Sequence, residues 1–225
     1  MLDLTIYDPN DRELHKLQKE YLRLLLKGES DVCVQLALDL VSSPSDILNL
    51  YLGVIQPSMY TIGHLWETNR ISVAHEHLAS AIVSRTLTAT YVERISIPSE
   101  KKGKILISPS SNELHEIGSW MVSDMFELEG WEVKYVGSDS NHQELFTVIQ
   151  DFKPDIVGFS VTMDYNIHGV ADVVRKIRQA KTLDKTKILL GGAATCRQNS
   201  PCLNLDADGM AADGLEAIKL VRSLC

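Results

Sequence analysis

The stretch KILISPSSNELHEIG, residues 104–118, decides the reading of this chain. KILIS is a short apolar, partly β-branched run of the kind that forms a buried strand, and it gives way to a polar loop and then a helix-like segment. The same succession recurs downstream. EVKYVG (132–137), DIVGFSV (155–161) and KILLGG (187–192) are further strand candidates. Helical patterns fill the intervals at about 113–128, 141–152, 165–180 and 213–224, and a weaker fifth strand is expected at ADGMAA (207–212). Strands alternating with helices at this spacing predict a mostly parallel sheet with helices on both faces.

The part before this stretch has a different period. LHKLQKEYLRLLL (14–26) repeats its apolar residues at three- and four-residue steps, as one face of a helix does. A second helix is expected over Val32–Val41, after Gly28-Glu-Ser. SSPSD (42–46) is a turn and cap signal before the long apolar-periodic stretch Ile47–Trp66, which Pro57 is expected to kink or step. Ser72 is placed to cap a fourth helix beginning at VAHEH. Four helices with short connections predict a bundle over residues 1–95, and SIPSEKKG (96–103) reads as a linker to an α/β domain over 101–225.

Composition narrows the function classes. The chain has 225 residues, 44% hydrophobic and 23% charged, with a net charge of −8. It carries no Lys/Arg-rich run, which argues against direct nucleic-acid binding. No apolar run approaches the ~18 residues of a membrane-spanning helix, and the acidic N-terminal residues do not resemble a secretory signal. Four cysteines, Cys33, Cys196, Cys202 and Cys225, show no CxxC spacing and read as reduced thiols of a cytoplasmic protein.

In open parallel sheets ligands bind beyond the carboxyl ends of the strands. After the first strand come Glu113-x-His115-x-x-Gly118, after the third Ser160-x-Thr162, and after the fourth Gly191-Gly192. An imidazole with a carboxylate two residues away suits a metal ligand whose other ring nitrogen is held by that carboxylate. Glycines after a strand let a bulky group approach the backbone. In isolation each feature is equally an ordinary loop residue or tight turn.

The three together resemble the cobalamin-binding domain family, with its Asp-x-His-x-x-Gly, Ser-x-Leu or Ser-x-Thr, and Gly-Gly motifs. Here 41 residues separate Gly118 from Ser160 and 28 separate Thr162 from Gly191, as in that family. Glu113 stands where most members have Asp. The resemblance implies a Rossmann- or flavodoxin-like domain beneath a four-helix cap, with His115 on the lower face of the cobalt. It also implies Glu113 behind His115, Ile117 and Gly118 beside it, and a nucleotide tail passing Ser160, Thr162, Gly191, Gly192 and Gly209.

Trp66 is followed after nine residues by Glu76-His77. Trp-x9-Glu-His resembles the cap of the CarH-type adenosylcobalamin-dependent photoreceptors, in which these groups pack around the upper adenosyl group. That resemblance implies a stand-alone light sensor acting through oligomeric state or a downstream protein partner. A second tetrapyrrole, a bilin such as biliverdin, would be sought near His142 and Tyr165. Two departures are Glu67, where well-known members have a His after the Trp, and a helical pattern that starts almost at once, so that their preceding DNA-binding domain is not expected; His64, His75 or His77 would take over from that His, or water would take the site. The competing expectation is a corrinoid carrier for methyl transfer between methyltransferases, whose cap resembles this one at Gly63, Trp66 and Glu67.

Overall fold

A computed structural model describes residues 1–225 except 112, 114, 138, 139, 198, 199 and 225. The described residues form two compact units, Met1–Ser96 and the portion from Ile97 onward.

The first unit is helical. Helix α1 (Arg12–Lys27) starts at Asp11, whose carboxylate accepts from the N–H groups of Glu13 and Leu14, and stops at Gly28 in the left-handed region. Helix α2 spans Ser30–Leu40. Helix α3 runs without interruption over 46–67, with a π-helical stretch at Asn49–Ile55 inside it. Pro57, expected to kink or step this helix, does not interrupt it. The turn ahead of it widens, so that Gln56 N–H donates to Tyr51 O five residues back, which is one way a helix accommodates a missing proline N–H. In that widened stretch a Cβ on Gly53 would lie 2.3 Å from Leu14 Cδ2, so glycine allows α1 to pack closely there. Helix α4 (Val73–Arg94) is capped by Ser72, as expected. Tyr21 of α1 and Thr86 of α4 are buried and joined by a hydroxyl pair at 3.2 Å.

The second unit is a five-stranded parallel sheet in the order β2-β1-β3-β4-β5. Its elements are β1 (Lys104–Pro109), α5 (Ile117–Leu128), β2 (Glu132–Tyr135), α6 (His142–Phe152), β3 (Ile156–Ser160), α7 (Ile167–Gln179), β4 (Lys187–Gly191), β5 (Gly209–Met210) and α8 (Gly214–Leu224). All the pairings are parallel. The βα alternation thus gives the doubly wound sheet expected, including the short fifth strand.

Side chains alternate across the sheet. Leu106, Val157, Phe159, Ile188 and Leu190 join Leu145, Ile149, Val170, Val174 and Ile177 of α6 and α7 in one buried cluster. On the opposite face, toward α5 and α8, register aligns Ile107 with Gly158 and Ser160 with Gly191. The order reverses between β1 and β3, where loops leave in opposite directions and open a crevice at the strand ends.

Among the described residues no helix is long and apolar enough to cross a membrane. Cys33 and Cys202 are buried, Cys196 is exposed, and all three are free thiols. Cys225 lies outside the described residues.

Candidate functional site

The crevice is built around one carboxylate. Helix α5 begins only at Ile117, later than its sequence pattern suggested, because Glu113 and His115 belong to the loop between β1 and α5. Glu113 is 1% exposed. Its Oε1 faces the His115 ring Nδ1 and also accepts the His115 backbone N–H at 3.3 Å. Its Oε2 accepts Thr162 N–H at 3.2 Å, Met163 N–H at 3.1 Å and Asn166 Nδ2 at 3.2 Å. A glutamate rooted in the β1 loop is thereby fastened to the loop beyond β3. Burial alone would raise the Glu113 carboxyl. The bonds from His115, Asn166 and Met163 outweigh it and hold the group below the ordinary glutamate range.

A carboxylate at Nδ1 fixes the proton on that nitrogen and puts the lone pair of the neutral ring on Nε2. The His115 side chain is 58% exposed, so a buried anion holds an imidazole that reaches outward from the strand ends. An imidazole held in this way is suited to ligating a metal through Nε2.

The remaining sequence-predicted residues gather along the same edge. Ser160 ends β3, and its carbonyl accepts Ser110 N–H at 2.8 Å. Thr162 contributes through its backbone. Gly191 ends β4 beside Ser160, and a Cβ there would sit 3.3 Å from Ala211 O. Gly192 has φ +90, and a Cβ on it would meet Val161 O at 2.4 Å, so only glycine fits this turn. Ile117 opens α5, and Gly118 has open space where a Cβ would stand. Gly209 lies in β5 against Leu220 of α8. Small residues line up at 158, 160 and 191 on one face of the sheet, where Ile107 packs over Gly158 so closely that a Cβ there would lie 2.7 Å from its Cδ1. The residues present fit a corrinoid with a protein imidazole below the cobalt.

Sequence reasoning missed Asn166. It stands at the N-cap of α7, where Asn is commonplace, yet its amide makes no cap bond and goes instead to Glu113. Its position six residues after Ser160 carries no signal until the fold brings the two loops together.

In the helical unit, Trp66 near the end of α3 is 44% exposed. Glu76 receives His77 Nδ1 at 2.6 Å and Ser80 Oγ at 2.8 Å, both from its own helix. His75 Nδ1 is tied to Ser72 Oγ at 2.7 Å. In the α/β unit, His142 packs against Gly169 and Tyr165 is exposed.

A parallel sheet presenting a carboxylate-held imidazole and a glycine edge at its switch point defines a corrinoid-binding protein of the Rossmann-like class. Comparison with known families agrees: a B12 binding domain matches residues 103–219, and a second B12 binding domain model matches residues 17–90. The chain belongs to the B12-binding domain family. A corrinoid protein of Desulfitobacterium hafniense is 19% identical over 92% of this chain and 97% of its own length. Dimethylamine corrinoid protein 2 of Methanosarcina acetivorans is 23% identical over 82% of this chain and 83% of its own. The structure of the Methanosarcina barkeri monomethylamine corrinoid protein superposes with a TM-score of 0.78, at 17% identity, over 93% of this chain and 99% of that one. The fold is therefore that of corrinoid proteins.

These relatives overturn the expectation of a light sensor. Similarity over most of both chains runs to proteins named for corrinoids and methylamines. A Trp-x9-Glu-His spacing in one helical hairpin constrains far less of the chain, and the local bonds of Glu76 give its carboxylate partners on its own helix.

Proposed function

We propose that this chain is a corrinoid carrier for methyl transfer, a component that works with methyltransferases and is not a catalyst by itself. The observation that carries the reading is the Glu113–His115 pair, fixed across the crevice by Asn166 and two backbone N–H groups. The preference for carriage over sensing rests on the corrinoid-protein relatives.

A bound corrinoid supplies a cobalt that accepts a methyl group and gives it up. His115 would hold that cobalt from below through Nε2, with Glu113 fixing the ring tautomer. Ser160, Thr162, Gly191, Gly192 and Gly209 would receive the nucleotide tail, with Ile117 and Gly118 beside His115. Trp66, Glu76 and His77 of the helical unit are candidate cofactor contacts, each to be tested by substitution. The setting is the cytoplasm, in keeping with the free thiols Cys33, Cys196 and Cys202. Methyltransferases are the partners, and self-association is read by sedimentation.

The test is loading of the purified chain with aquacobalamin, methylcobalamin and adenosylcobalamin in the dark, followed by illumination. The expected result is tight methylcobalamin binding with a His-on spectrum and no light-driven change of assembly. His115→Ala should lose that spectrum, and a spectrum unchanged in that variant sinks the assignment. The same spectra show directly whether the adenosyl form is retained, and addition of biliverdin shows whether a bilin is taken up.

A further inference from the structure

We infer that Arg197, opposed by Asp164, tunes the electron donation of His115 to a bound cobalt through the Thr162–Met163 peptide group and Glu113. The inference rests on the corrinoid reading above and adds two residues that no motif singled out.

The loop after β4 folds back onto the loop after β3, with Ala194 N–H donating to Val161 O at 3.0 Å. This brings the Arg197 guanidinium to Thr162 O at 3.4 Å and to Asp164 Oδ2 at 2.7 Å. The carbonyl of Thr162 and the N–H of Met163 belong to one planar amide. That same N–H donates to Glu113 Oε2 at 3.1 Å, and Glu113 Oε1 holds His115 Nδ1. An unbroken line of polar groups therefore runs from guanidinium to amide to carboxylate to imidazole.

The sign follows from electrostatics. A cation at the amide oxygen polarises the amide and strengthens its N–H as a donor. The carboxylate then gives up more of its charge to that bond and is a weaker acceptor for His115, so the imidazole is less electron-rich. Asp164 offsets part of the cation. Arg197 and Asp164 thus act in opposite directions on the donor strength of His115 while neither touches the ring. They are positioning and tuning residues, not ligands.

The experiment uses the full chain loaded with aquacobalamin and reduced to Co(II). Electron paramagnetic resonance with 15N-histidine labelling identifies the His115 nitrogen on cobalt, and spectroelectrochemistry gives the Co(II)/Co(I) midpoint. Arg197→Met leaves Asp164 unopposed and should make the midpoint more negative, because a more electron-rich ring favours Co(II). Asp164→Asn should move it the other way. Each shift should correspond to at least a threefold change in the equilibrium, about 28 mV at 59 mV per decade for one electron. Arg197→Lys keeps the charge and should lie between wild type and Arg197→Met. Shifts of the same sign, or no shift in Asp164→Asn with histidine nitrogen still on cobalt, overturn the inference. A wild-type protein whose cobalt shows no histidine nitrogen fails earlier, at the assignment of His115 itself. If Arg197→Met does not fold, the sign in Asp164→Asn decides alone.

Discussion

Glu113→Gln is the substitution with the most to say about this site. The side chains are nearly isosteric, so the packing of a group that is 1% exposed is kept while its charge is removed. Three N–H donors converge on Oε2 at 3.1–3.2 Å, from Thr162, Met163 and Asn166. The glutamine oxygen must take that position, because an NH2 group there would face three donors. The NH2 group is then turned toward His115 Nδ1. It donates where the carboxylate accepted, and the ring proton moves to Nε2, the nitrogen that should face cobalt. A hydrogen bond to a charged acceptor contributes about 1.5–3 kcal/mol against about 0.5–1.5 for a neutral one. Three such bonds therefore lose about 3 kcal/mol together, which lowers the melting temperature by about 10 °C for a unit of this size. Loss of the group orienting a metal-bound histidine typically costs 10–100-fold in metal affinity, about 1.4–2.8 kcal/mol. Thermal melts of the apoprotein and absorbance titrations with aquacobalamin measure the two effects separately. A variant that melts like wild type and binds within twofold of it with the His-on spectrum intact refutes the reasoning.

The remaining predictions can be checked on the same preparations. Asn166→Ala removes one donor from the buried carboxylate and should cost about 1.5–3 kcal/mol in a denaturant titration. Because folding lowers the Glu113 pKa, its charge stabilises the native state above the ordinary glutamate value of 4.5, and this contribution fades as pH falls through the lowered value. The stability gap between wild type and Glu113→Gln should thus be flat near neutral pH and shrink in acid; a gap that widens in acid contradicts the sign. Gly192→Ala places a Cβ 2.4 Å from Val161 O at φ +90 and should cost at least about 2 kcal/mol, read as reduced soluble yield or a lower melt. Trp66→Ala, at a half-exposed position, should lower stability by only about 1–2 kcal/mol and weaken corrinoid binding tenfold or more; unchanged affinity removes Trp66 from the site.

What the sequence determined by itself was the local and the periodic. The change from helical repeats to short β-branched runs near residue 104 announced a helical part and a parallel α/β part. The apolar runs placed Glu113–His115, Ser160 and Gly191 just beyond strand ends, and the gaps of 41 and 28 residues carried the resemblance to the cobalamin-binding domain family. Capping at Ser72 was equally legible, since a cap is a contact between near neighbours. Long-range polar contacts leave no such trace. Asn166 lies 53 residues from the carboxylate it holds, and Arg197 lies 35 residues from the carbonyl it reaches. Either residue is unremarkable in its own loop. Only the reversal of strand order between β1 and β3, and the fold-back of the loop after β4, bring them onto Glu113. The Trp66–Glu76–His77 spacing shows the converse. It is a local pattern read as the mark of a light sensor, and relatives matching most of the chain overturned that function. The family resemblance proposed His115 as a cobalt ligand with the Glu113 anion behind it, and the tertiary structure added the donors from Thr162, Met163 and Asn166 that hold that buried anion. That anion is held across two loops because a carboxylate taken out of water needs several donors, and one loop alone does not provide them.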